Sequence, residues 1–362
     1  MKVLCINPGS TSTKIGAYSE HAVIGTASLR HDAAVLEQFE RATGQLPYRL
    51  AQIRRFLDEH DIAPDDFDAF IGRGGLLHPL VSGTYRVNDD MCRDLEQAAY
   101  GEHASNLGAL LARELGRLSG KPAYIADPVV VDEFDEVARF SGMPEIKRRS
   151  IFHALNQKAV GRRHAAWLGR TYKDLNLIIC HMGGGITVGA HGMGRCIDVN
   201  NALDGDGPFS PERAGGMPTG QLADLCFSCV YTLPEMKRKI TGGGGLVAYL
   251  GTSDAQQVEA RIAAGDDYAR LVYDAMIYQI CKEIGAAAVV LQGRADAILL
   301  TGGLAHSDYV TDRITARVAF LAPVHVYPGE NELQALAEAG FRVLRGEEEA
   351  RIYQSRPASS DS

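Results

Sequence analysis

The chain has 362 residues, 46% hydrophobic and 23% charged, and its 37 Lys and Arg against 45 Asp and Glu give a formal net charge of −8. These are globular proportions, without the basic excess of a nucleic-acid binder and without the roughly 18–20 consecutive apolar residues of a membrane span. They point to two domains or one large α/β unit that acts on a small molecule, with neither nucleic acid nor membrane as a partner. The scattered cysteines, several within apolar runs, suit reduced thiols and a cytoplasmic setting.

The first predicted element is a strand, because Met1-Lys2-Val3-Leu4-Cys5-Ile6 meets Asn7-Pro8-Gly9 too soon to be a leader peptide. Asn7, Ser10, Thr11, Ser12, Thr13 and Lys14 then offer backbone amides, hydroxyls and one ammonium in a single turn. That composition faces a phosphate, although the Walker A spacing is absent. Phe70-Ile71 predicts a strand running into Gly72-Arg73-Gly74-Gly75, and a helical period covers 90–118. Ile125-Ala126-Asp127-Pro128 ends another strand, and Ser150-Ile151-Phe152-His153 precedes a helix at 154–168.

Leu177-Ile178-Ile179-Cys180 predicts a strand entering His181-Met182-Gly183-Gly184-Gly185, a second phosphate-type turn. Asp204-Gly205-Asp206-Gly207 and the glycines 242–245 read as surface, hinge or interface loops. Cys226 and Cys229 form a lone Cys-x-x-Cys with no second ligand pair, which reads as core packing. A helix at 267–291 leads to a strand at 297–300 and to Thr301-Gly302-Gly303-Leu304, a third glycine turn before a helix at 308–320. His325-Val326-Tyr327 is a strand, Pro328-Gly329 a turn, 331–344 an amphipathic helix, and 354–362 a frayed tail.

The chain also echoes itself. Strand, polar residue, glycine turn and a second strand containing Gly-Ala occur at 3–18 and again at 177–191, with Asn7 and His181 in the same place. Such an echo, half a chain apart, predicts a duplicated α/β domain.

The runs 7–14, 181–189, 197–213 (Ile-Asp-Val-Asn-Asn-Ala-Leu-Asp-Gly-Asp-Gly-Pro-Phe-Ser-Pro-Glu-Arg) and 244–252 together resemble the acetate kinase family. That family lies in the superfamily of acetate and sugar kinases, chaperone ATPases and actin, and the likeness extends to about Tyr353. The resemblance implies an α/β fold of two duplicated ribonuclease H-like domains with an ATP cleft between them, set at 1–150 and 151–345 with a tail at 346–362. It implies transfer of the ATP γ-phosphoryl group to a short-chain carboxylate, butyrate or a branched relative. Acetate or propionate is the alternative acceptor, and a sugar hydroxyl the remoter one. Mg²⁺ and a homo-oligomer, a dimer or larger, are implied as well.

Residue by residue, the likeness assigns Arg73, Asp127, His153 and His181 to catalysis. Asn7, Ser10, Thr11, Ser12 and Lys14 would bind phosphate or metal, Gly183, Gly184 and Gly185 the phosphates, and Thr301, Gly302 and Gly303 the adenosine. Asp127 would also serve the metal shell. Two positions depart from the family pattern. Its second arginine falls on Gly220, which leaves Arg213 as the nearest guanidinium, and its metal-linked glutamate falls on Asn331, which leaves Glu330 or Glu332 to substitute.

Overall fold

A computed structural model describes residues 1–356. Its strands are β1 (Lys2–Pro8), β2 (Ser12–Ser19), β3 (Val23–Arg30), β4 (Ala69–Arg73), β5 (Thr84–Arg86), β6 (Ala123–Ala126), β7 (Asn176–Met182), β8 (Ile186–Gly192), β9 (Arg195–Val199), β10 (Ala297–Gly302), β11 (Val324–Pro328) and β12 (Arg351–Ile352). The chain divides into two compact units, one made of Met1–Val131 with the chain from Asn331 onward, the other of Asp132–Glu330.

The sheet of the first unit runs β12-β5-β6-β4-β1-β2-β3, and that of the second runs β11-β10-β7-β8-β9. Both contain one pattern. In β3-β2-β1-β4-β6 and in β9-β8-β7-β10-β11, two antiparallel pairs are followed by two parallel ones. The internal echo in the sequence is therefore a duplicated fold, with β1-turn-β2 and β7-turn-β8 in equivalent places.

Alternating side chains give each sheet its core. In the first unit Leu4, Ile6, Ile15 and Ala17 pack with Ile53, Leu57, Leu107 and Leu111. In the second, Ile178, Cys180, Val188 and Leu300 meet Met276, Ile280 and Ile284 of the helix Asp267–Val290 on one face. Leu177, Ile179 and Leu299 pack with Val160, Ala165 and Tyr172 on the other face.

The second half of the chain lends one helix to the first unit. Glu332–Leu344 packs on β1 and β4, and Gly340 permits the approach, since a Cβ there would meet Ile71 Cδ1 at 2.7 Å. Hence the division falls after Val131 and Glu330, not at the residue 150 and 345 boundaries of the sequence reading. The strand–turn–helix signal at 325–344 gave no sign of which sheet the helix would cover.

The helical period at 90–118 is interrupted. Two helices, Asp89–Glu96 and Leu107–Ser119, flank a turn in which Ala98 and Gly101 have φ of 51° and 117°. Asn106 fixes that turn by donating to the Gly101 carbonyl and accepting from the Leu76 N–H, and a regular helix supplies no such tertiary bonds. The start of the expected frayed tail is instead tied down. Tyr353 is buried and donates to Asp94, His78 bonds the Gln354 carbonyl, and Ser355 donates to Asp94. The remainder of that tail, 357–362, lies outside the described residues. Cys226 and Cys229 are exposed, not core, because the helix Thr219–Phe227 buries none of its residues.

Helix Leu107–Ser119 lies unusually close to β4. A Cβ on Gly72 would collide with the Gly108 carbonyl, and one on Gly108 would collide with that of Arg73. This fit sets the backbone just before and at Arg73. Gly72→Ala is therefore expected to cost about 1–3 kcal/mol through overpacking, whereas Gly25→Ala, which meets nothing within 4 Å, shifts stability by about 0.5 kcal/mol or less. Urea unfolding of both variants measures the difference, and equal midpoints would contradict the packing account.

Candidate active site

Parallel strands end on the same edge of a sheet, so the residues just past their C-terminal ends gather there. In the first unit β1, β4 and β6 are neighbours, with Ile6 opposite Gly72 and Arg73 opposite Ala126. The strand ends thereby bring Asn7, Arg73 and Asp127 to one edge. Asn7, 4% exposed, accepts from Arg73 at 3.3 Å and donates through Nδ2 to Glu332. Arg73 lies 3.4 Å from the Glu332 carboxylate. Asn7, Arg73 and Glu332 thus form one linked group.

Asp127 is 2% exposed and has φ of 36°, a conformation that an L side chain adopts only under constraint. Its Oδ1 accepts from Ser82 Oγ at 2.5 Å and from the Gly83 N–H at 2.9 Å. Those two donors hold the carboxylate at the strand end. Beyond β1 the turn to β2 is closed by Gly9 N–H donating to the Ser12 carbonyl at 2.8 Å, and it leaves Ser10, Thr11 and Lys14 exposed.

The second unit repeats this layout at the ends of β7, β10 and β11. His181, 1% exposed, pairs with Thr301, and Gly302 pairs with Pro328. Asn156 Nδ2 donates to the Glu330 carbonyl at 2.7 Å, which leaves Asn156 Oδ1 as an acceptor for His181 Nδ1 at 2.8 Å. The Nε2 of His181 is buried, has no hydrogen-bond partner among the described residues, and lies 3.6 Å from Glu330. The rings of His153 and His181 stack at 3.7 Å and 10°.

Behind this pair stands a buried polar chain. Burial, with Lys158 and Arg162 nearby, holds the His191 imidazole well below its ordinary pKa. Neutral His191 donates through Nε2 to Gln157 Oε1 at 2.8 Å, and its Nδ1 accepts from Tyr172 at 2.5 Å. Gln157 donates to Thr187 Oγ1 at 2.9 Å, and that hydroxyl lies 2.8 Å from His153 Nδ1. Fixed partners of this kind hold an imidazole in one orientation.

Glycine turn 183–185 carries the next residues. Ser210 donates to the Gly184 carbonyl at 2.6 Å, and the Arg213 guanidinium lies so close over Gly185 that a Cβ there would strike it. Arg213 also donates to the Ala202 carbonyl at 2.9 Å, and burial pulls its pKa down. Glycines 242–245 lie against 210–214, with the Gly242 and Gly244 N–H groups on the Glu212 carbonyl. Asp206 accepts from the Asn201 N–H, and Asn200 bonds β8 at Val188 and Ile186. The glycine and Asp-Gly clusters left unplaced by the sequence therefore build the seat of Arg213.

Of the adenosine-turn candidates, Thr301 is buried and donates to the Gly329 carbonyl at 3.1 Å, while Gly302 has φ of 90° and Gly303 opens the short helix Gly303–His306. Thr301 thus shapes the turn. Sequence reading missed Ser82, Asn156, Gln157 and Thr187, whose parts come from contacts distant in the chain. The two glutamates it left open face different groups, Glu332 toward Asn7 and Arg73, Glu330 toward His181.

The Acetokinase family profile matches residues 144–348. Two proteins of Clostridium acetobutylicum, Butyrate kinase 2 and Butyrate kinase 1, are 52% and 53% identical over 352 residues, which is 97% of this chain and 99% of each relative. Acetate kinase of Porphyromonas gingivalis is 20% identical with a TM-score of 0.79, covering 95% of this chain and 99% of that one. A propionate kinase of Francisella tularensis is 16% identical with a TM-score of 0.74, covering 93% and 98%. These two share the fold. With more than half the chain matched by the profile and near-complete relatives more than half identical, the chain belongs to the acetokinase family.

Proposed function

We propose that the chain transfers the γ-phosphoryl group of Mg·ATP reversibly to butyrate or a related short or branched fatty acid, giving an acyl phosphate and ADP. The observation that carries this reading is the identity of 52–53% to two butyrate kinases across 97% of the chain. In the step itself a carboxylate oxygen forms a bond to the γ-phosphorus, and the bond to the β,γ-bridging oxygen breaks with its electron pair leaving on ADP. No proton has to move. The obstacle is repulsion between two anions, so the useful groups are cations and oriented donors.

The residues suit that task. Arg73 presents a partly exposed guanidinium beside Asn7, and Arg213 one over the turn 183–185. Ser10, Thr11, Ser12 and Lys14 offer donors for the phosphate chain, and glycines 183–185 give close approach in the second unit. His153 and His181 present oriented imidazoles to the transferring group. Asp127, with one oxygen already held by two donors, orients groups and does not abstract a proton. That disposition favours a carboxylate acceptor over a sugar hydroxyl, which requires a base.

Mg²⁺ takes oxygen ligands and keeps several waters, so one or two carboxylates suffice. Among the described residues no group of three or more His, Cys, Asp and Glu encloses a metal. Asn7 meets Glu332 through its amide nitrogen, while Asn7 Oδ1 and the Glu332 carboxylate both face the Arg73 guanidinium; those two hard oxygens would hold an ion together with water and substrate phosphates, and Asp127 at the same edge would orient its water shell. Bound there, Mg²⁺ would neutralise charge on the phosphates. The cysteines, all free, suit a reducing cytoplasm, and a homo-oligomer belongs to the same proposal.

With Mg·ATP, hydroxylamine trapping of acyl phosphate across acetate, propionate, butyrate, isobutyrate and valerate is expected to peak at the acids of about four or five carbons, although one methylene discriminates by only about 10- to 200-fold. ADP release that depends on glycerol or glucose instead, with no trapped product, sinks the carboxylate reading. Arg73→Ala should lower kcat by about a hundredfold or more while ATP binding persists. Retained turnover in the folded variant removes Arg73 from the chemistry. His181→Ala is expected to keep its unfolding midpoint yet slow transfer by about 10- to 100-fold. Unfolding of that variant would instead assign His181 to the core.

A further inference from the structure

Helix Leu46–Glu59 buries Arg49, Ile53, Phe56 and Leu57, an apolar stripe whose first member is an arginine. Arg49 is 0% exposed. A guanidinium on the core face of a helix is costly unless every N–H finds an acceptor, so its partners reveal what it is kept for.

Four of its six hydrogen bonds go to residues 9–13, at the turn from β1 into β2. NH1 donates to the Gly9 carbonyl at 2.8 Å, the Ser12 carbonyl at 3.2 Å and Thr13 Oγ1 at 3.0 Å, and NH2 donates to the Ser10 carbonyl at 3.2 Å. Nε and NH2 share Gln45 Oε1 at 3.0 and 2.8 Å, one helical turn back. Among the described residues no carboxylate pairs with Arg49. Thr13 Oγ1 also lies 2.8 Å from His31 Nε2, and burial followed by the Arg49 charge pulls the His31 pKa to about 4. His31 thus stays neutral and adds no second cation.

This arrangement does two things to the turn. Three carbonyls, those of Gly9, Ser10 and Ser12, are drawn inward onto one guanidinium, and a carbonyl left facing outward would repel an anion. The N–H groups of Ser10 and Thr11 meanwhile donate to no protein acceptor among the described residues. Carbonyls held in and amides left out make an anion-binding nest. The guanidinium also places an uncompensated positive charge beneath that nest, where low dielectric lets it act over distance.

We propose that Arg49 is a positioning residue for the nucleotide phosphates, holding the Gly9–Thr13 carbonyls inward and supplying buried charge under the turn. It touches neither substrate nor metal. The proposal rests on the turn being a phosphate site, as the proposed function has it.

The experiment compares Arg49→Ala, Arg49→Lys and Gln45→Ala with the unaltered chain in two ways. One is the KM for Mg·ATP in acyl phosphate formation, and the other is calorimetric binding of ADP and of adenosine. Arg49→Ala is expected to raise the KM by about tenfold or more and to weaken ADP similarly, with adenosine affinity held within about twofold. Millimolar guanidinium chloride should restore about fivefold of the lost kcat/KM, and Arg49→Lys, with fewer donors, should fall between. A mere packing role predicts equal loss for ADP and adenosine and no rescue, and either that pattern or an unchanged KM overturns the proposal.

Should Arg49→Ala fail to fold, Gln45→Ala decides, because it removes the acceptor that orients the fork. A rise in KM of about three- to tenfold with unchanged adenosine affinity supports the proposal, and no rise defeats it. The underlying reading is separable. An unaltered chain that prefers ADP to adenosine but forms no acyl phosphate loses the proposed acceptor and keeps Arg49, with the ADP-against-adenosine comparison as its test. One that binds ADP no better than adenosine loses the phosphate turn itself and Arg49 with it.

Discussion

Parallel strands must finish on a common edge, and in each unit the candidate residues depend on that constraint. Asn7 and Arg73 lie at the ends of β1 and β4 and Asp127 just after β6, while His181, Thr301 with Gly302, and Glu330 lie at or after β7, β10 and β11. Each strand supplies one or two side chains, and the sheet supplies their spacing. The hairpins β1–β2 and β7–β8 add a turn at the same edge, one lined with hydroxyls and the other with glycine. Duplication of a strand order is therefore also duplication of an edge where polar and glycine residues gather, filled by different residues in the two copies.

Local elements were legible because local patterns determine them. The hairpins at Asn7 and His181, the strand into Arg73, and the helices Ala154–Trp167, Asp267–Val290 and Asp308–Val318 follow from apolar period and glycine placement. What escaped was set by partners distant in sequence. Helix Glu332–Leu344 reads as the natural end of the second half, yet Gly340 fits it to Ile71 and Val3 in the first sheet. Gln354 and Ser355 look like the start of a polar tail until His78 and Asp94 are placed beside them. Cys226 and Cys229 look like core residues only if the helix Thr219–Phe227 has something to cover it in this chain.

The site residues divide along the same line. Arg73, Asp127, His153 and His181 carry their own signals, a charged or imidazole group beside glycine, proline or a helix start. Their supports do not. Ser82, Asn156, Gln157 and Thr187 are ordinary polar residues until the fold gives each one an acceptor or a donor. Arg49 is an intermediate case, since a guanidinium in phase with Ile53, Phe56 and Leu57 contradicts the stripe it interrupts. Such a contradiction in sequence marks where stability was given up for some other end.

Under the proposed function those supports serve one physical purpose. A buried imidazole or guanidinium that must meet a moving charge performs best when its orientation costs nothing during the reaction. Asn156 gives His181 one fixed donor direction and leaves Nε2 facing the site, while Thr187, Gln157, His191 and Tyr172 extend the same restraint behind His153. Because an anionic acceptor needs no base, the chemistry reduces to bringing like charges together, and rigid cations and dipoles do that better than mobile ones. The buried polar groups of both units are best understood as orientation fixed in advance at folding, so that it need not be supplied again in each catalytic cycle.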